Sequence, residues 1–286
     1  MSMANGNELE NSIYKSAGGK QEILTWYDKF LAGWPVPYQA GVVSTRYGDT
    51  HIISSGDESL PPLILIHGAS SNATSWAGEV AAYSRHFHVI AVDVIGEPGK
   101  SAPTRPAWEG NAYSEWMADV VDGLHFEAVI LLGISQGGWI ALKYAAAHPE
   151  KVAKLVLISP AGVVPTRALF ILKAVFYTFW GRWGAHQLNH YVFGRQPVNP
   201  VVFEFMDAIM THVKARIDKE YLFSDEELAR LTMPVLLLGG TEDVIRSIEQ
   251  IDARLKKHLF QLQTMIIPHE GHVLMTVSDR VLPFLL

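Results

Sequence analysis

The chain has 286 residues, 49 % of them hydrophobic and 18 % charged, which is material for one large domain and no signature of disorder. A formal net charge of -6 argues against nucleic acid as a partner, because phosphate binding needs a basic surface. There is no cysteine, which excludes disulfides, thiolate zinc sites and cysteine nucleophiles.

The opening MSMANGNELENSIYK lacks the basic start and apolar stretch of a signal peptide, so a cytoplasmic location is expected. Residues 17–34 repeat apolar side chains at helical spacing and stop at Gly33 and Pro35. Two β-branched runs, VVSTRYG and THIISSG, then read as a hairpin. From Pro62 strands and helices alternate. PLILIH, FHVIAVD, AVILLG and KLVLIS read as strands; NATSWAGEVAAYS, YSEWMADVVDGLHF and SQGGWIALKYAAAH read as helices. Residues 162–230 break the rhythm with aromatic helical stretches. PVLLLGG, a helix near 246–257, QTMIIP and a last helix to Leu286 complete the pattern.

Fully apolar strands alternating with helices imply a parallel sheet covered on both faces. The expected fold is therefore α/β, a mostly parallel eight-stranded sheet with helices on both faces and a helical cap insertion. Residues 1–36 read as an N-terminal helical extension, 37–161 and 231–286 as the core, and 162–230 as the cap. The longest apolar segment, ALFILKAVFYTFW at 168–180, is interrupted by Lys173 and too short to span a bilayer, so no stable membrane insertion is expected.

The chemistry centres on LLGISQGGWIAL at 131–142. Ser135 falls on the hinge between a strand and a helix, and Gly133, Gly137 and Gly138 remove the Cβ atoms that would obstruct so sharp a turn. This is the context of a nucleophile elbow, where free N–H groups at the helix start can stabilise negative charge. A serine nucleophile needs a base. His272, in PHEGHVL after the strand QTMIIP, should lie at the same sheet edge as Ser135; His269 is the rival. The two histidines lack a third ligand at zinc-like spacing, and no metal is expected. An acid must orient the base, and Asp243 in TEDVI after PVLLLGG is the candidate, with Glu242 as the alternative.

The strand end LILIHGAS places the N–H of Ala69 near the substrate oxygen, with the N–H of Gln136 as the second oxyanion donor. Ser70 is a candidate to add a hydroxyl or to replace Ala69, and His67 is read as a structural tie. Gly99-Lys100-Ser101 is not a phosphate loop, since the required glycine five residues earlier is Val94. Ser70, Trp139, Phe170, Phe176 and Trp180 are the candidate substrate contacts, and the aromatic cap implies an apolar acyl or alcohol group. The same apolar stripe also suits a homodimer interface or a membrane surface.

The order Ser135, Asp243, His272, with His67-Gly68, the Asp93–Ser101 turn, GISQGG and GHVL, resembles the α/β-hydrolase superfamily from about residue 40 onward. The N-terminal helix ending in WPVPY, the TRYGDTHIISSG hairpin and DVIGEPGKS are similar to bacterial carboxylesterases found in bacilli. The resemblance implies cofactor-free hydrolysis of a small-molecule carboxylic ester. It also sets aside relatives: haloalkane dehalogenases and epoxide hydrolases have aspartate in place of Ser135, and proline iminopeptidases have tryptophan in place of Gln136. Three other readings remain open on the same scaffold. They are a C–C bond hydrolase using Arg167, Arg182 or Arg195 as a carboxylate clamp, a cofactor-free perhydrolase, and a ligand-binding receptor.

Overall fold

The computed structural model describes residues 12–286. Eight strands form one sheet in the order β1-β2-β4-β3-β5-β6-β7-β8. These are β1 Tyr38–Thr45, β2 Gly48–Ser55, β3 Pro62–Ile66, β4 His88–Val92, β5 Val129–Ile134, β6 Val152–Ile158, β7 Val235–Gly240 and β8 Leu262–Ile267. The β1–β2 hairpin is antiparallel and joins β4 antiparallel, while β4, β3, β5, β6, β7 and β8 run parallel. The sheet is thus mixed and mostly parallel, as its apolar strands require.

Alternate side chains of each strand enter opposite layers. Ile64, Ile66, Leu131, Leu155, Leu157 and Leu237 pack in one cluster with Trp116, Trp139 and Ile251. Leu63, Leu65, Leu132, Val156, Ile158 and Leu236 pack in the other with Trp76, Tyr83 and Val281. Trp76 comes from the 3-10 helix Ala73–Gly78, and the other partners come from α2 Val80–Tyr83, α3 Ala112–Gly123, α4 Gln136–Ala147, α9 Ile248–Leu255 and α10 Ser278–Leu285. Helices therefore cover both faces.

Between β6 and β7 lie α5 Ala168–Thr178, α6 Gly181–Phe193, α7 Pro200–His212 and the single turn α8 Asp225–Leu228. This is the stretch expected to form the cap. The first helix, α1 Ala17–Ala32, begins at Ser16, whose side chain accepts the N–H of Gly19. Its Tyr27 and Leu31 enter the second core layer, whereas Ile23 packs with Phe205, Ala208 and Ile209 of α7. It joins two parts of the molecule.

One expected helix is divided. Residues 72–84 form a 3-10 helix over Ala73–Gly78 and then the short α2. Asn72 accepts the N–H and hydroxyl of Thr74, and its own side-chain amide donates to the carbonyl of Pro98. The first turn is thereby tightened against the core, and Gly78 offers no side chain to carry a longer helix.

Candidate active site

The parallel strands present their carboxyl ends at one edge, and the backbone is strained there. Ser70 after β3, Ser135 after β5, Ser159 after β6 and His269 after β8 all have positive φ, at 55°, 51°, 44° and 63°. Such conformations cost a non-glycine residue on the order of 1–3 kcal/mol and persist only where the surroundings impose them.

At Ser135 the surroundings do impose it. Its φ of 51° and ψ of -109° are held by its N–H donating to Ile158 O at 2.9 Å. Its own carbonyl accepts from Trp139 N and Ala161 N, each at 3.0 Å. Any Cβ at Gly137 would collide with the carbonyls of Ile66 and His67, and one at Gly133 with the backbone of Gly137. The glycines thus allow α4 to start directly against β3 and β5. Gly68 differs: a Cβ there would make only ordinary contacts, 3.4 Å from Ile134 O and 3.6 Å from Ser135 Cβ.

Asp243 and His272 reach this serine from the loops that follow β7 and β8. His272 Nε2 is 3.0 Å from Ser135 Oγ, and its Nδ1 is 2.8 Å from Asp243 Oδ2. An ionised Asp243 can only accept, so Nδ1 carries the proton and Nε2 is free to accept from the serine hydroxyl. Asp243 Oδ1 accepts from Ile245 N at 2.7 Å and Arg246 N at 3.0 Å. Burial pushes the Asp243 carboxyl up, but His272 and these backbone donors outweigh it and hold its pKa below the usual value. His272 and Asp243 are buried, while Ser135 is partly exposed. The loops are fastened together by Thr241 N to Ile267 O, Glu242 N to Glu270 O and His269 N to Thr241 Oγ1.

The rivals lie elsewhere. His269 is largely exposed and its Nδ1 stands 3.3 Å from Glu242 Oε1, so these two residues face each other and not Ser135. Arg195 stands 4.0 Å from the same Glu242, with its side chain 86 % exposed, and Arg167 and Arg182 are exposed as well.

The groups expected to serve as oxyanion donors are placed differently. Ser70 N donates to the buried carboxylate of Glu97 at 2.8 Å, so that amide is occupied. Ala69 is exposed beside Gly68, and Gln136 opens α4, where its N–H has no carbonyl one turn back. The Gln136 side chain is buried, and neither of its amide atoms has a partner among the described residues. His67 is the structural tie expected of it: Nδ1 donates to Gly68 O at 2.8 Å and Nε2 accepts from Val94 N at 2.9 Å. Burial lowers its pKa and keeps it neutral.

The expected substrate contacts separate. Trp139 is fully buried in the core, between Trp108, Tyr113 and Phe223, with its indole N–H on Tyr221 O at 3.1 Å. That expectation is corrected: the residue follows the elbow by one helical turn, and its bulk fills the layer under the sheet. Phe176 and Trp180 are more than half exposed, in a chain of rings with Tyr177 and Trp183, and do not wall a buried pocket. Phe170 is half-buried. Among the described residues, no group of three His, Asp or Glu side chains converges as metal ligands would.

Sequence reading missed the ties that hold the loops. Buried Arg246 donates through Nη2 to Glu220 Oε1 at 2.6 Å and to Thr166 Oγ1 at 3.1 Å. Gln196 Nε2 donates to Val273 O at 2.6 Å, next to His272. Arg246 carried a signal, three residues after Asp243; Glu220 and Gln196 carried none.

Comparison with known proteins agrees with this geometry. Residues 61–278 match the family model described as the alpha/beta hydrolase fold. The chain is 33 % identical over 274 residues to carboxylesterase YbfK of Bacillus subtilis, covering 91 % of this chain and 92 % of that protein. The crystal structure of the same relative superposes with a TM-score of 0.84 at 31 % identity, covering 94 % and 99 % of the two chains. The B. subtilis naproxen esterase, carboxylesterase NP, gives 0.85 at 28 % identity, covering 95 % and 100 %. On the family model, the eight-stranded sheet and this level of identity, the chain belongs to the α/β-hydrolase fold family.

Proposed function

We propose that the protein is a serine carboxylesterase acting on small esters with an apolar group. The observation that carries this reading is the hydrogen-bonded series Asp243–His272–Ser135, ending at a partly exposed hydroxyl beside Ala69 and Gln136. The carboxylesterase relatives support it.

In the first half-reaction Ser135 Oγ attacks the ester carbonyl while His272 Nε2 takes its proton. The carbonyl oxygen becomes an oxyanion between the N–H groups of Ala69 and Gln136, each worth several kcal/mol in such a site. Because Glu97 occupies the amide of Ser70, Ala69 is assigned as the first donor. Asp243 stabilises the imidazolium, which then protonates the leaving alcohol. In the second half-reaction His272 deprotonates a water, the water attacks the acyl-serine, and the carboxylic acid departs as Ser135 recovers its proton. Each step moves protons only among these groups, the substrate and water.

The test is hydrolysis of p-nitrophenyl esters from acetate to laurate by wild type and Ser135→Ala at neutral pH. Wild-type turnover lost in the variant is expected, and the best chain length measures the acyl site. Folded protein that cleaves none of these esters would overturn the assignment.

A further inference from the structure

Residues 161–203 contrast with the rest of the molecule. The protein carries a formal net charge of -6, yet this stretch holds Arg167, Lys173, Arg182 and Arg195 and no carboxylate. Within it, α5 reads ALFILKAVFYT and buries none of its side chains. A helix apolar on all sides is normally enclosed by protein or lipid.

The two stripes of α5 differ. Phe170, Lys173, Ala174 and Tyr177 are half-buried at helical spacing, and Lys173 Nζ lies 3.9 Å from the ring centre of Tyr191 on α6. This is the inner stripe. On the other side Leu169, Leu172, Phe176, Phe179, Trp180 and Trp183 are exposed, Leu172 by 67 % and Phe179 by 82 %. Arg167 directly precedes α5, and Arg182 stands in the first turn of α6, where the helix dipole disfavours a cation. Both arginines are exposed.

We propose that this face of α5 and the start of α6 docks peripherally on an anionic lipid surface. The aliphatic and aromatic stripe enters the interface, and the cations meet the lipid phosphates. Charge selects this occupant over a second copy of the chain. A two-fold dimer would oppose the same patch on both copies and gather the like charges of two Arg167 and two Arg182 into one interface with no carboxylate from this stretch to offset them. An anionic membrane neutralises them. Among the described residues no helix is long and apolar enough to cross a bilayer, so the contact rests on the surface.

The experiment is co-sedimentation of the full chain with vesicles of phosphatidylcholine alone and of phosphatidylcholine mixed with phosphatidylglycerol, at low and high salt. Binding to the mixed vesicles, weakened by salt, is expected. Arg182→Gln should weaken it about five-fold, as loss of one cation near such a surface does. The Leu172→Ser/Phe179→Ser variant should abolish it while leaving hydrolysis of a soluble ester unchanged, both side chains being solvent-exposed. Ser135→Ala should bind as wild type does, which separates docking from catalysis. Wild type that ignores both vesicles would overturn the proposal, as would Leu172→Ser/Phe179→Ser binding undiminished. So would sedimentation velocity showing a dimer that the same double variant dissolves.

Discussion

Asp243 divides its two oxygens between tasks: Oδ2 holds the imidazole of His272, and Oδ1 is tied to the N–H groups of Ile245 and Arg246. In Asp243→Asn the amide nitrogen competes to donate to Nδ1, the wrong tautomer is favoured, and kcat should fall by about 10,000-fold with KM little changed. Steady-state kinetics on the best ester checks this. The same carboxyl bears on stability. Its folded pKa lies below the ordinary 3.8, so near that pH the folded protein binds fewer protons than the unfolded chain. Its stabilisation is complete above the unfolded value and fades as pH falls through the folded one. Thermal unfolding of wild type should therefore lose stability below about pH 4 more steeply than that of Asp243→Asn. Equal slopes would show that Asp243 contributes nothing to the acid limb.

The elbow shows how an element boundary is built from the absence of side chains. Helix α4 can begin at Gln136 only because Gly137 lies against the carbonyls at the end of β3 and Gly133 against Gly137 itself. Gly137→Ala forces a methyl group into backbone that cannot withdraw without displacing Ser135. A loss of about 1–3 kcal/mol in urea unfolding is expected. Activity should fall further than the fraction of folded protein explains, because Ser135, the proposed nucleophile, shifts with the turn. This boundary was legible in the residues, where GISQGG lies between an apolar run and a helical pattern. The division of residues 72–84 was not. That stretch has a plausible helical composition, and its tightening depends on Asn72 bonding Pro98, a partner 26 residues away.

At the scale of the whole molecule, the inserted helices are tied at several points to the loops that carry Asp243 and His272. Arg167 N donates to Ile245 O, and the Gln196 side chain donates to the carbonyl of Val273. The strongest tie is Arg246, whose backbone N–H serves Asp243 while its guanidinium bonds Glu220 and Thr166. Glu220 also accepts from Gly162 N and Thr166 Oγ1, so it joins both ends of the insertion. Glu220→Ala leaves a buried guanidinium without its carboxylate and should destabilise the protein by about 3 kcal/mol in urea unfolding. Glu220→Gln, which keeps one acceptor, should cost less. If both variants unfold like wild type, the tie is not structural.

Residue order alone was sufficient for the α/β class, the mostly parallel sheet and the identity of the elbow, because each depends on local periodicity and on glycine at fixed offsets. Ser135, Asp243 and His272 could be nominated because a parallel sheet sends every strand's carboxyl end to one edge, so loop residues far apart in sequence share it. The contacts within that edge were decided only in three dimensions. Whether Ser70 or Ala69 kept a free amide depended on Glu97 reaching across from another loop. Whether Trp139 faced substrate or core depended on Trp108, Tyr113 and Phe223 filling the space around it. α1, which reads as an extension, became a bridge because its Ile23 found Phe205 and Ile209 on α7. Local pattern determines which face of an element is apolar; only packing decides which distant surface covers it, and on α5 it left the outer face uncovered.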